Sequence, residues 1–275
     1  MSDEAASARL RARIPALDLA YARFNARKTV ATAAPSEFRV ERIGDAIATF
    51  DPAREDGYYQ RVIGLGGSDA AVAREALARY GRDGAVRMDL RGDPEPELGD
   101  ALLAAGLLPA APLLYLGAEL PRGGAPSRAT DGAVTVERWT NDRADEFLDL
   151  LQHEVGPIAG EIREARRPFF GTDTFRVFVA AVDGERAGWA TSFVAENAAF
   201  LGNAFTRPEL RRRGAQGALV RARLRDAERM GVDCAITDVS PDTESARNAQ
   251  RAGLRPIARF AVWERAAAAA PPAAP

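Results

Sequence analysis

One segment constrains the fold more than any other: a strand-like run, a basic glycine-bearing loop and an amphipathic helix in direct succession. The apolar run 198–206 leads through Pro208 into the loop 211–214. Apolar side chains then recur at helical spacing as far as Gly231, a residue type that commonly ends helices. Free N–H groups at the start of such a helix, next to arginines, can hold a pyrophosphate. The segment therefore predicts a strand–loop–helix unit with an anion site at the helix N-terminus.

The residues around this segment predict an α+β domain. Asp183-Gly184 separates two apolar runs and is a strong signal for a two-residue hairpin. An amphipathic helix before it is expected to end at Gly156-Pro157. After the central helix, the sequence predicts a strand, a short helix capped by Ser245 or Thr243, and a last strand. These three elements are expected at 234–239, 245–252 and 260–264.

The basic loop resembles the acyl-CoA-binding motif of the GNAT superfamily of N-acetyltransferases, Arg/Gln-x-x-Gly-x-Gly/Ala. Arg211, Gly214 and Gln216 occupy its defined positions, and Gln216 stands where Gly or Ala is usual. Ala252-Gly253-Leu254 takes the place of the family's Gly-Phe turn. The resemblance covers residues 133–265 in the right order. It implies a mixed, mostly antiparallel sheet flanked by helices, with the central strands splayed apart.

The resemblance also implies acetyl-CoA as the co-substrate. In the family, the fourth strand polarises the thioester and pairs with the pantetheine arm, while the loop holds the pyrophosphate. Asn248 lies where family members often contact the cofactor, although an asparagine there could equally cap a helix or face solvent. The candidate cofactor-binding residues are Ala204, Phe205, Thr206, Arg211, Arg212, Arg213, Gly214, Ala215, Gln216, Gly217 and Asn248.

The residues that usually move protons in the family are missing. Gly202 stands where a glutamate is common, and Ala249 where a tyrosine is common. Acetyl transfer needs a neutral amine and a proton for the leaving thiolate. Residues 131–275 contain no tyrosine, so the thiolate must be protonated by water or by a tyrosine of the other half. Those tyrosines are Tyr21, Tyr58, Tyr59, Tyr80 and Tyr115. The candidate bases, each also explicable as a solvated carboxylate, are Asp238, Glu196 and Glu154.

The N-terminal half echoes the C-terminal half at a constant offset. Ala105-Gly106-Leu107 parallels Ala252-Gly253-Leu254, 147 residues further on. The same offset brings a helix beginning near Asp69 onto the one beginning near Gln216. An echo at a fixed period suggests duplication, although coincidence in an Ala/Leu-rich chain is the alternative.

The N-terminal half of this repeat lacks the motif for the cofactor. Its loop 63–68 is glycine-rich but contains no Arg-x-x-Gly. A strand-to-helix turn capped by Ser68 or Asp69 is favoured there over a phosphate cradle. We therefore expect tandem GNAT-like domains of α+β class. The predicted organisation is an N-terminal helix or arm over 1–34, a degenerate GNAT-like domain over 35–120, a linker over 121–132, an acetyltransferase domain over 133–265 and a disordered tail over 266–275.

The composition of the chain limits which partners and which cellular compartment are expected. The net charge of −2 predicts no bulk attraction to nucleic acid or membrane. One Cys and one His cannot form a Cys/His zinc site, so no metal is expected, and a single Cys fits a reducing cytoplasm. Charged residues near the N-terminus interrupt any signal peptide or membrane span. Lys28 is the only lysine among 37 lysine and arginine residues, which suggests a GC-rich bacterial genome.

Two functions are compatible with these features. The first is an acetyl-CoA-dependent N-acetyltransferase acting on a small-molecule amine, with a homodimer among its compatible states. The second is a catalytically idle acyl-CoA-binding or protein-interaction module. The intact loop favours the first, and the missing glutamate and tyrosine favour the second.

Overall fold

The computed structural model describes residues 3–54, 56–81, 84–121 and 134–266. These residues form two compact units. Unit 1 takes the described residues of Met1–Tyr21, Lys28–Ala33 and Leu114–Ile257, and unit 2 takes those of Ala22–Arg27, Ala34–Leu113 and Ala258–Pro275. The predicted linker lies outside the described residues except for Pro121, and the predicted tail except for Ala266.

The elements of the first half of the chain begin with a long helix. In chain order they are α1 (Asp3–Lys28), β1 (Arg39–Ile43), β2 (Ala46–Phe50), β3 (Arg61–Gly66), α2 (Ala70–Leu77), β4 (Val86–Arg91), α3 (Pro96–Ala104) and β5 (Leu108–Glu119).

The elements of the second half surround a 16-residue helix. They are β6 (Val134–Trp139), α4 (Ala144–Val155), α5 (Gly160–Arg166), β7 (Phe175–Val182), β8 (Glu185–Ala195), β9 (Ala198–Phe200), β10 (Ala204–Thr206), α6 (Ala215–Met230), β11 (Cys234–Val239), α7 (Glu244–Arg251) and β12 (Arg255–Arg265).

The sheet of unit 2 follows the order β1-β2-β3-β4-β12. Strands β1, β2 and β3 pair antiparallel, β3 and β4 pair parallel, and the 260–265 end of β12 pairs antiparallel with β4. Alternating side chains of these strands are fully buried, with Val62, Met88 and Leu90 each at 0% exposure. Helices α2 and α3 bury Ala73, Leu98 and Leu102 in the same hydrophobic cluster, so this unit has a core of its own.

The sheet of unit 1 follows the order β6-β7-β8-β9-β11-β5. Neighbours from β6 to β9 pair antiparallel, β9 and β11 pair parallel, and the 114–119 end of β5 pairs antiparallel with β11. Helix α6 buries Ala218 and Leu219 against β7 and β8, and Val220 and Leu224 in the cluster that contains β11. The apolar stripe of the central helix therefore covers this sheet, as its sequence periodicity predicts.

The predicted internal repeat is present as a repeated order of elements and pairings. In unit 2 the strands β1, β2 and β3 pair antiparallel, β3 and β4 pair parallel, and a final antiparallel pairing follows. The strands β7, β8, β9 and β11 of unit 1 repeat this order and end in an antiparallel pairing with β5, and β6 adds one more antiparallel strand at the edge. Helices α2 and α3 correspond to α6 and α7. The fold is thus a tandem α+β repeat, with mixed sheets flanked by helices.

The last strands depart from a simple tandem arrangement. In unit 2 the strand beside β4 is the end of β12, whereas in unit 1 the strand beside β11 is the end of β5. The compact units therefore divide the chain within β5 and β12 rather than at the boundaries 35–120 and 133–265 expected from the sequence.

Local signals in the sequence are confirmed. Asp183 and Gly184 have φ of 51° and 83°, the left-handed pair that a two-residue hairpin turn requires. Gly156 ends α4 and Gly231 ends α6, both at positive φ. Thr243 is the cap of α7, because its hydroxyl accepts the Ala246 N–H at 3.2 Å.

Three boundaries differ from the sequence predictions. The run 198–206 is interrupted, since residues 201–203 belong to neither β9 nor β10. The loop 63–68 is strand as far as Gly66, and the Asp69 carboxylate accepts the Gly66 N–H at 2.6 Å instead of capping α2. The last strand spans Arg255–Arg265, longer than the predicted 260–264. In each case pairing with neighbouring strands, which local propensity does not encode, sets the boundary.

None of the helices among the described residues is long and apolar enough to cross a membrane.

Candidate functional site

The central strands of unit 1 separate part-way along their length. β9 pairs with β11 only from Ala198 to Phe200, and Leu201 then donates its N–H to the Ile236 carbonyl at 2.8 Å. Beyond this point β10 pairs with β8, with Ala204 opposite Ala190. Among the described strands, none pairs with 237–239 on that side of β11. The resulting opening, here called the strand gap, confirms the predicted splay.

The strand gap leads into a cavity of about 260 Å³. One wall comes from the separated strands and the other from helices α6 and α7, so the cavity lies where the sequence places an acyl-CoA site. Its lining residues are Leu201, Gly202, Asn203, Ala204, Gln216, Val220, Arg223, Thr237, Asp238, Val239, Ser245 and Ala249.

The N-terminus of α6 opens beside this cavity. Gly214 precedes the helix with φ 87° and ψ −6°, a left-handed conformation that glycine adopts without steric cost. Ala218 is the first residue to donate back along the helix, to the Gly214 carbonyl at 3.0 Å. The N–H groups of Ala215, Gln216 and Gly217 come before it and have no acceptor in the helix. The arrangement is a set of N–H donors suited to an anion.

Three exposed arginines surround these donors. Arg211 donates from Nε to the Thr206 carbonyl at 3.2 Å, which ties the loop to β10. Arg212 has φ 61°, and Arg213 pairs with Asp183 in the β7–β8 turn. The positive charge predicted from the sequence is therefore concentrated at the helix N-terminus, where it adds to the helix dipole.

The side chain of Gln216 points to helix α7. Its Nε2 donates to the Ser245 hydroxyl at 2.7 Å, and its Oε1 accepts from Asn248 Nδ2 at 2.6 Å. Asn248 in turn accepts from Arg251 Nη2 at 2.7 Å. Asn248 therefore joins α6 to α7 rather than capping a helix or facing only solvent. The N–H of Gln216 stays at the end of α6, because the side chain, not the backbone, makes these contacts.

Of the three candidate bases, Asp238 lines the cavity and Glu154 does not. Asp238 lies opposite Tyr115 in the β11–β5 pairing. Glu154, at the exposed end of α4, accepts a hydrogen bond from Trp189 Nε1 at 2.6 Å. Partial burial raises the pKa of Glu154 above its usual value, and the hydrogen bond from Trp189 opposes this shift. Glu154 thus contacts β8 through Trp189 and is not among the residues that line the cavity.

The third candidate, Glu196, lies elsewhere. It occupies the β8–β9 turn with φ 51°, and its carbonyl accepts from Arg13 at 3.0 Å. The adjacent Asn197 carbonyl accepts from the N–H of Asp233, just before β11 begins. Asp238 lies at the other end of that strand, roughly 16 Å away at about 3.3 Å per residue. The structure therefore does not bring Glu196 together with Asp238.

Tyr21 of α1 is brought to the strand gap by the fold. Its ring packs at a tilt against the rings of Phe193 and Phe200, with centroid distances of 5.3 and 4.7 Å. Its hydroxyl accepts from Asn203 Nδ2 at 3.2 Å. A Cβ on Gly202 would lie 2.5 Å from that hydroxyl. Tyr21 thus fills the space that a side chain at position 202 would take.

Arg223 is a cavity residue that sequence analysis missed. It lies one helical turn after Leu219 on the buried side of α6 and is 4% exposed. Its Nη1 donates to the carbonyls of Thr191 and Gly202, at 3.1 and 2.9 Å, and its Nε to that of Leu219 at 3.3 Å. Burial lowers the pKa of this guanidinium to about 10. The sequence did not mark Arg223 as buried, because α6 carries arginines at every second position from Arg221 to Arg225 and nothing distinguishes the middle one.

Within the described residues, no group of three or more His, Cys, Asp or Glu side chains is arranged to hold a metal ion.

Comparisons with known proteins agree with this geometry. The model of the acetyltransferase (GNAT) family matches residues 136–253. A search of curated proteins gave no match. Among solved structures, a GCN5-related N-acetyltransferase from Kribbella flavida is similar with a TM-score of 0.57 and 16% identity, covering 90% of this chain and 95% of that one.

Two further structures extend the similarity over most of the chain. A GCN5-related N-acetyltransferase from Sphaerobacter thermophilus has a TM-score of 0.55 and 14% identity, over 91% of this chain and 93% of that one. A tandem GNAT protein from the clavulanic acid biosynthesis pathway has a TM-score of 0.52 and 15% identity, over 82% and 79%. At these identities the similarity establishes a shared fold.

Proposed function

Residues 136–253 form a domain of the GNAT acetyltransferase family, and on this basis we propose that the chain transfers an acetyl group from acetyl-CoA to the amine of a small molecule. One observation carries the proposal. The donor-rich N-terminus of α6 opens beside a cavity that begins at the strand gap, and Gln216 in the first turn of α6 lines that cavity. An anion site and a channel for an extended arm are thus contiguous.

Different residues of the site would bind different parts of acetyl-CoA. The N–H groups of Ala215, Gln216 and Gly217 would hold the pyrophosphate, and Arg211 and Arg212 would add charge. β10 pairs with β8 through one edge, so its other edge is available to the amides of a pantetheine arm. Acetyl-CoA, when bound, supplies a thioester carbonyl that an amine can attack.

The amine must lose a proton before it attacks. An alkylamine has a pKa near ~10.4 and is almost wholly protonated at neutral pH. We assign the role of accepting that proton to Asp238, which lines the cavity, or to Glu154, which is hydrogen-bonded to Trp189, acting directly or through water. We assign the protonation of the leaving thiolate to the Tyr21 hydroxyl, which contacts Asn203 at the strand gap.

We also propose a reducing, cytoplasmic setting in a bacterium. The lone cysteine, Cys234, is buried and free, and its burial raises the thiol pKa, so it is protected from oxidation. The preference for arginine over lysine supports a GC-rich bacterial source.

The decisive test of cofactor binding is Gly214→Asp, measured by calorimetry with acetyl-CoA. The change puts a carboxylate among the N–H donors and a Cβ at a φ of 87°, so affinity should fall at least tenfold. Gly231→Asp is the matched control, because Gly231 also has positive φ and lies at the other end of the same helix. Equal loss of affinity in both variants, or no binding by the unmodified protein, would refute the assignment of the loop.

The missing family residues support a second function. With Gly202 and Ala249 in place of a glutamate and a tyrosine, the chain could bind acyl-CoA without turnover. Thiol release on mixing the protein with acetyl-CoA and a panel of small amines separates the two functions. Binding with amine-dependent thiol release supports the transferase, and binding without it across the panel supports the idle module.

A further inference from the structure

Arg223 is a buried cation without an ionic partner in the cavity wall. Its Nε and Nη1 donate three hydrogen bonds, which end on the neutral carbonyls of Leu219, Thr191 and Gly202. Among the described residues no carboxylate pairs with this guanidinium and no acceptor takes a hydrogen bond from its Nη2, and the group that acts on its charge is the uncharged Tyr21 phenol. Nη2 is therefore the group that remains for a ligand in the cavity.

Buried charges in proteins are normally paired. Another buried arginine of unit 1 follows this rule, since Arg176 pairs with Asp226, a neighbour of Arg223 on α6. Asp226 is thereby engaged elsewhere, with Arg176 and Arg229. The charge of Arg223 is retained at neutral pH, because burial lowers its pKa only to about 10. An anion entering the cavity would compensate a charge that the protein leaves unpaired.

The position of Arg223 identifies which part of a bound molecule it would meet. Its Nη1 holds the carbonyl of Gly202, the residue at the strand gap where the thioester and the amine are expected to meet. The pyrophosphate site at Gly214 is more than two helical turns earlier on α6, about 13 Å at ~1.5 Å per residue. Arg223 therefore faces the reacting groups and not the nucleotide end of the cofactor.

We propose that the cavity binds a carboxylate at Arg223, so that one of the two reactants is acidic. This carboxylate site rests on the proposed acyl transfer and adds to that proposal the chemical class of one substrate. The carboxylate has two possible sources: an acyl group that ends in a second carboxyl, or an amine that carries a carboxyl, as an amino acid does. Asp238 in the same cavity supplies the opposite charge that an ammonium group would meet.

The experiment measures thiol release by the full chain in two series of reactions, a donor arm and an acceptor arm. The donor arm compares succinyl-CoA with acetyl-CoA at one fixed amine. The acceptor arm compares an amino acid with its decarboxylated amine, such as phenylalanine with phenethylamine, at fixed acetyl-CoA. The proteins are the unmodified chain, Arg223→Gln, Arg223→Lys and Arg225→Gln. The last removes the same charge from the same helix at a residue that does not line the cavity.

A preference for the carboxylate-bearing reactant of about tenfold or more in kcat/KM is expected on one arm, because a charge-assisted hydrogen bond is at stake. The arm that shows it identifies the source. Arg223→Gln should abolish the preference, Arg223→Lys should keep part of it, and Arg225→Gln should keep all of it. Absence of preference on both arms, or its persistence in Arg223→Gln, overturns the proposal.

Two safeguards keep the result decisive. If Arg223→Gln does not fold, the proposal is tested by comparing two proteins. The unmodified protein should prefer the carboxylate-bearing reactant, and Arg223→Lys should show a smaller preference. If no acyl-CoA binds and no thiol is released, the acyl transfer itself has failed. The carboxylate site is then tested with succinate alone. Succinate should raise the Tm of the unmodified protein and of Arg225→Gln equally, and it should raise the Tm of Arg223→Lys less. An equal rise in all three would overturn it.

Discussion

Gly202 offers a sharp test of how the N-terminal helix completes the site. A Cβ at this position would lie 2.5 Å from the hydroxyl oxygen of Tyr21 and 3.1 Å from its Cζ. Both distances are shorter than ordinary van der Waals contact, so Gly202→Ala must displace the ring. Tyr21 is 5% exposed and packed against the rings of Phe193 and Phe200, which leaves its own ring little room to move.

The expected cost follows from these contacts. Overpacking a well-filled site costs about 1–3 kcal/mol, and displacing Tyr21 also breaks its hydrogen bond with Asn203, worth about 1 kcal/mol. We expect Gly202→Ala to lower the free energy of unfolding by about 2–4 kcal/mol. In a Tyr21→Phe background the 2.5 Å contact is gone, so the same change should cost about 1 kcal/mol less, a coupling within the range of touching residues.

The assay is urea unfolding of the unmodified chain, both single variants and the double variant. Gly160→Ala is the control, because a Cβ there would meet no atom within 4 Å. If the two changes add to within about 0.5 kcal/mol, Tyr21 does not fill the space at position 202. The thiol-release rate of Tyr21→Phe is measured in parallel, and a fall in kcat with unchanged affinity for acetyl-CoA would support the hydroxyl as proton donor.

Three further predictions concern charged side chains. If Glu154 accepts the proton of the amine, the rate should fall as the pH drops through the pKa of Glu154, which burial raises above 4.5. Glu154→Gln should then remove this fall in rate at acidic pH, and Glu196→Gln should leave the pH profile unchanged. At most one of Glu154→Gln and Asp238→Asn should cause a large loss in kcat, and two such losses with unchanged acetyl-CoA affinity would contradict a single weak base. Arg176→Met should lower the free energy of unfolding by about 3 kcal/mol in urea, because it leaves Asp226 buried without its main partner.

The local elements of this protein are determined by neighbouring residues and could be predicted. Asp183-Gly184 makes its turn because both residues tolerate positive φ, and Gly214 and Gly231 bound α6 for the same reason. The offset between the two Ala-Gly-Leu turns anticipated the repeated order of strands and helices. The anion site at the start of α6 was also visible, since a helix N-terminus needs only its own backbone.

The tertiary structure alone decided which distant residues meet. Tyr21 and Gly202 are far apart in the chain, and in sequence Arg223 cannot be told from the half-buried Arg221 and Arg225 until its burial is known. The interruption of 198–206 and the places of β5 and β12 beside β11 and β4 likewise depend on pairing between remote strands. The physical reason is one of range: turns and caps are set by φ, ψ and hydrogen bonds within a few residues, whereas burial and strand partners are set by packing across the whole chain.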